Sequence, residues 1–204
     1  MKRLLLIATA ILLVSLINIS AQTARDAYVE PVLNFEGFII EPHAQFINEI
    51  EFTDKIKKAV LLLKDKAPDE FKTMQSVIGK IRATKISGAN YNEEIMTIDI
   101  AKGTFDASLE WLASVLIHET RHIKKYKDTG KKYGNAHLMK NKKAAYQVMV
   151  AEELECNKIQ LVVLEKVGGA KYEIEYLRAQ KGDHFDIDKD GDYDSDDYNA
   201  RDWD

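Results

Sequence analysis

Cysteine is almost missing from this 204-residue chain. Cys156 stands alone, so no internal disulfide can form, and stability must come from a packed core or from bound metal. Its place three residues past Glu153 on a predicted helix reads as a small buried apolar residue rather than a catalytic thiol. Long apolar runs are missing too. The longest, Leu4 to Ile17, has fourteen residues and is too short for a comfortable membrane span. Lys2 and Arg3 precede it and Asn18-Ile19-Ser20-Ala21 follows it, the pattern of a signal peptide over residues 1–21 cleaved after Ala21. The mature chain is therefore expected outside the cytoplasm, extracellular or periplasmic, with no stable membrane anchor and no nucleic-acid partner. Proline occurs three times, and no internal repeat or low-complexity linker interrupts the first 182 residues. One domain over residues 22–182 is the default for a chain of this length.

What is present is chemically pointed. Residues 118–122 read His118-Glu119-Thr120-Arg121-His122. On a helix, positions i and i+4 share a face, so two imidazoles can grip one metal ion while the intervening glutamate handles a proton. The preceding residues support a helix. Asp106 or Ser108 offers an N-cap, Leu109, Leu112 and Leu116 repeat at helical spacing, and Lys124, Lys125 and Lys127 suit the negative end of the dipole, which places the histidines near that end. Two imidazoles plus a carboxylate suit zinc, with one position left for water.

The acidity of the chain is concentrated at its C-terminus. Residues 183–204 hold ten Asp against Lys189 and Arg201, a net of −8, whereas the whole chain carries −4. Asp186, Asp188, Asp190 and Gly191 fit positions 1, 3, 5 and 6 of a calcium loop. Asp192 falls at position 7, where the backbone carbonyl binds, Asp194 at 9 and Asp197 at 12. The segment resembles the loops of dockerins and EF-hands, with Asp rather than Glu at position 12. Calcium is the cation expected there.

Between the ends, helices are predicted from Phe52 to Lys66, capped by Thr53 or Asp54, and from Pro68 through Ile78. Ile81–Ile86 and Ile95–Ile100 read as strands with a turn at Ser87-Gly88-Ala89-Asn90, and residues 25–54 show no regular pattern. A long helix runs from about Lys142 to Val167, closed by Gly168-Gly169, and a shorter one from Lys171 to Gln180.

This order of elements around H-E-x-x-H resembles the zincin metallopeptidases, an α+β fold with a small mixed sheet, an active-site helix and a second helix bearing a ligand. In that family an edge strand before the histidine helix pairs with the substrate backbone, and Ile95–Ile100 is the strand so placed. In the gluzincin group the third ligand is a Glu on a later helix. Glu153-Leu154-Glu155-Cys156 is similar to that group's E-x-E-A string, so the resemblance implies Glu153, with Asn157 four residues on as a hydrogen-bond partner behind a ligand histidine. Glu152 and Glu155 are alternatives on the same helix. Asp128 is the metzincin-like alternative, but the Gly that such enzymes need three residues after the second histidine is Lys125 here.

The expected function is a secreted zinc metallopeptidase that takes peptide or protein substrates, with His118, His122 and Glu153 on zinc and Glu119 as general base. Tyr133, His137 and Tyr146 are the candidates for stabilising an oxyanion. Two other readings remain open at this point: a non-enzymatic calcium-dependent binding module, and a zinc amidase acting on a cell-wall amide.

Overall fold

The computed structural model describes residues 33–91 and 94–192. The predicted signal peptide, Asp194 and Asp197 lie outside the described residues. The described chain is α+β, with six α-helices and a five-stranded mixed sheet. None of its helices is long and apolar enough to cross a membrane.

The first element lies in the stretch whose sequence shows no regular pattern. Strands β1 (Leu33–Phe35) and β2 (Phe38–Glu41) form an antiparallel hairpin. Its turn places Glu36 at φ 51° and Gly37 at φ 87°, the two positive dihedrals of a two-residue hairpin whose twist matches its strands. Helix α1 (Glu49–Lys66) begins earlier than predicted because Asn48, not Thr53 or Asp54, caps it. Its Oδ1 accepts from the backbone N–H groups of Ile50 and Glu51, both at 3.1 Å. Helix α2 (Pro68–Val77) starts on Pro68, as the sequence predicts.

Strands β3 (Lys80–Ala83), β4 (Gly88–Asn90) and β5 (Thr97–Ile100) complete a sheet of order β1-β2-β3-β5-β4. The segment predicted as a turn at 87–90 is thus largely a strand. β5 pairs in parallel with β3 and antiparallel with β4, so both its edges are taken. It is not the edge strand of the sequence reading; β4 is. Ile40, Ile81 and Ile98 lie in register across β2, β3 and β5 and are fully buried, with Ile100 and Phe38 on the same face. Alternation then sends Arg82 and Asp99 to the opposite face, where they pair at 2.9 Å.

After a short helix α3 (Lys102–Asp106), α4 (Leu109–Thr129) carries the histidine motif. Ser108 is the N-cap, its Oγ accepting from Trp111 N–H at 2.9 Å. The helix runs on to Gly130, at φ 66°, so the histidines sit in its middle rather than near its end. Phe52, Ile56, Leu63 and Met74 from α1 and α2 pack with Leu112, Leu116 and Ile123 of α4 into one buried cluster that includes the sheet isoleucines. A 3-10 segment (Lys132–Leu138), the long helix α5 (Lys142–Val167) and α6 (Lys171–Ala179) follow. α5 lies along α4.

The chain leaves α6 and returns onto α5 through Gly182. This residue has φ +76°, and a Cβ built on it would fall 2.6 Å from the carbonyl oxygen of Val150 and 2.8 Å from Leu154 Cγ. Gly182→Ala is therefore expected to lower stability by at least about 1–2 kcal/mol, the left-handed penalty alone, because the clash is with backbone. Gly88→Ala, which meets nothing within 4 Å, serves as the control in a thermal melt. Equal melting temperatures for the two variants would show that 182 is not a close-approach point.

Candidate metal centre

The helical period puts His118 and His122 one turn apart on the face of α4 that meets α5. Both are buried, and their Nε2 atoms are 3.2 Å apart. Glu153 on α5, 3% exposed, meets both with its carboxylate. Its Oε2 is 3.2 Å from His118 Nε2 and its Oε1 is 3.3 Å from His122 Nε2. Ligands held at 2.0–2.2 Å in a tetrahedron are about 3.3–3.5 Å from one another, and each of these contacts, made through the two oxygens of one carboxylate, is near that separation. Oε2 of Glu153 is buried without a hydrogen bond, which adds to the fit. Although burial works to raise it, the Glu153 carboxyl is held well below the ordinary carboxylate range by the two histidines, so the anionic donor form is favoured.

Behind His122 stands Glu152, not Asn157. His122 Nδ1 lies 3.1 Å from Glu152 Oε1, and Lys125 Nζ lies 3.2 Å from the other oxygen of that carboxylate. A carboxylate at Nδ1 fixes the ring and leaves the Nε2 lone pair for metal. Burial opposes the charged form of His122, but hydrogen bonds with Cys156, Glu152 and Glu153 outweigh it and raise its pKa well above the usual value. Asn157 is buried a turn further on, and its Nδ2 has no hydrogen-bond partner. Glu155 points away to Arg121 and Lys125. Asp128 is exposed and paired with Lys124 at 2.8 Å, outside the centre.

Cys156 is closer to the chemistry than the sequence implies. Its Sγ and the ring nitrogens of His118 and His122 lie within 4.8 Å of one another, a second donor set on the same two histidines. Burial pushes the thiol pKa up despite the neighbouring His122, which favours the neutral form.

Glu119 faces a cleft of about 1060 Å³ whose walls include β4, Tyr133, Tyr146 and Met149. Burial, with the Glu153 charge, raises the Glu119 carboxyl above its ordinary value against the pull of the histidines and of the Ala89 backbone N–H. Of the candidate oxyanion donors, Tyr133 reaches the centre. Its hydroxyl donates to Glu153 Oε1 at 3.0 Å and its ring packs edge-on to His122. Its φ of 46° is left-handed, a strained backbone that aims the ring inward. Burial holds its hydroxyl protonated, with the pKa well above the usual value. Tyr146 forms the cleft wall beside Phe185, and the side chain of His137 lies outside the described residues.

Two pocket residues escaped the sequence reading. Tyr91, beside β4, packs its ring at a tilt against Tyr126, and His184 brings Nε2 to 3.9 Å from Glu153 Oε2. No spacing rule ties either to the motif. His184 is delivered by the turn after Gly182.

The same turn shows the register of the acidic segment. Carboxylate oxygens of Asp186, Asp188 and Asp190 lie within 4.8 Å of one another, and Gly191 takes φ 85°. The side chain of Asp192 accepts from Lys142 Nζ at 2.8 Å.

Glu152→Gln is expected to keep the fold and weaken zinc about 10–100-fold, the usual effect of losing a partner behind a ligand histidine, while Asn157→Ala changes zinc affinity little. Competition with a chromophoric chelator measures both. The reverse ranking would return the supporting role to Asn157.

No family model, no curated protein and no solved structure matches the chain.

Proposed function

We propose that the chain is an exported zinc metallopeptidase of gluzincin type, with His118, His122 and Glu153 as ligands and Glu119 as general base. The observation that supports this reading is the buried cluster in which the two histidine Nε2 atoms lie 3.2 Å apart and each meets one oxygen of the Glu153 carboxylate, at 3.2 and 3.3 Å, beside a carboxyl of raised pKa. Bound zinc would supply a Lewis acid that polarises a carbonyl and acidifies water.

The chain's own residues do the rest. Glu119 takes a proton from the attacking water and returns it to the departing amine, and a carboxyl shifted upward by burial suits both halves of that exchange. Tyr133, kept protonated, turns its hydroxyl from Glu153 to the oxygen that gains negative charge. Among the described residues β4 pairs with β5 on one side only, and Gly88, Ala89 and Asn90 border the cleft. An extended peptide laid against that edge gains backbone hydrogen bonds whatever its side chains. This favours peptide over a non-peptide cell-wall amide as substrate.

Purified protein is expected to hold about one zinc per chain by elemental analysis. Glu119→Gln should keep the metal and lose at least about 10²-fold in turnover on unstructured peptides. Wild-type turnover in that variant would remove Glu119 from the mechanism.

Glu153→Ala should release zinc, whereas Cys156→Ala and Asp128→Ala should retain it. Loss of zinc from Cys156→Ala with retention in Glu153→Ala would exchange the third ligand and with it the gluzincin assignment.

A further inference from the structure

The acidic turn touches the cleft, and this contact gives it a role beyond ion binding. Gly191 N–H donates to Asp186 Oδ2 at 3.1 Å, Asp190 N–H to Asp188 Oδ1 at 3.1 Å, and Asp192 N–H to Asp190 Oδ1 at 2.9 Å. These bonds wrap the backbone so that three carboxylates converge. Convergence alone would prove little. Asp186, however, is only 1% exposed, and its Oδ1 is buried with no hydrogen-bond partner. A buried carboxylate oxygen with no donor, beside two further carboxylates, is costly until a cation sits against it. All the donors are hard oxygens in a loop of the D-x-D-x-D-G register, which suits calcium.

The residues just before Asp186 face the metal centre. Phe185 is 2% exposed and packs edge-on to Tyr146 of α5 at 5.6 Å. His184 lies 3.9 Å from the Glu153 carboxylate. Asp192 closes the turn onto the start of α5 through Lys142. The turn that gathers the aspartates therefore also lays two side chains into the cleft.

We propose that Asp186, Asp188 and Asp190 form a calcium site whose occupancy holds His184 and Phe185 in the cleft, so that calcium and zinc bind cooperatively. Without the cation, mutual repulsion of the carboxylates pushes the turn open and carries the two side chains away from Glu153. With it, the zinc ligands are enclosed. This rests on the zinc reading above for its second ligand, and linkage makes the effect reciprocal: each ion tightens the other by the same factor.

The test is calorimetric titration of the full chain with calcium, once stripped of metal and once loaded with zinc, and of zinc with and without saturating calcium. The expected result is one calcium per chain and an equal gain of about tenfold in both directions. Asp186→Asn should abolish calcium binding; Asp190→Ala, at an exposed position, carries the same test if the buried variant does not fold. His184→Ala should keep calcium binding and lose part of the coupling. Failure to bind calcium at millimolar concentration overturns the site, and equal affinities with and without the other ion overturn the coupling. A chain that takes up no zinc sinks the peptidase reading instead. The calcium proposal is then judged by the imidazole NMR signals of His184, expected to shift on calcium addition; unchanged signals overturn it.

Discussion

The packing of α4 against α5 is the constraint on which the rest depends. Two successive helices, joined through the 3-10 segment, present two imidazoles and a carboxylate to one another in a buried seam. Such polar groups are expensive inside a protein unless something satisfies them. The surrounding apolar cluster fixes the helices through Leu112, Leu116, Ile123, Val163 and Val167. The seam is therefore rigid, and the donors are held at a spacing a metal can use rather than left to find it. Support runs outward from there, from His122 to Glu152 and on to Lys125.

Much of this was legible because it is local. The H-E-x-x-H spacing, a cap at Asp106 or Ser108 (the structure uses Ser108) and the bounds of α5 follow from helical period and terminus chemistry, and these depend on near neighbours alone. The place of Glu153 beside the histidines agrees with the string and apolar stripe that single it out. What failed depended on partners distant in sequence. Alternation predicts a strand over 95–100, of which Thr97–Ile100 forms one, but it does not reveal the neighbours that place this strand inside the sheet rather than at its edge. Gly88 and Asn90 read as turn residues, yet pairing with β5 makes them a strand. The hairpin at Glu36-Gly37 was hidden because a non-glycine residue takes the left-handed position.

Glu152, rather than Asn157, stands against His122, and the reason is related. Spacing of i, i+4 correctly puts Asn157 on the same face as Glu153. Which residue meets the far side of His122 is set by how α5 lies along α4, and that brings Glu152 there. Cys156 was read as a small buried apolar residue. It is buried, but its place one turn from Glu153 also sets it against the histidines. His184 has no sequence signal at all; it depends on the close approach of Gly182 to Val150.

Because Glu153 and Cys156 both stand near the two histidines, the identity of the third donor is the most direct test of the account. X-ray absorption at the zinc edge of the zinc-loaded full chain reads it. The account predicts two imidazoles with oxygen donors and no sulfur shell. A sulfur shell at about 2.3 Å would place Cys156 on the metal and contradict it.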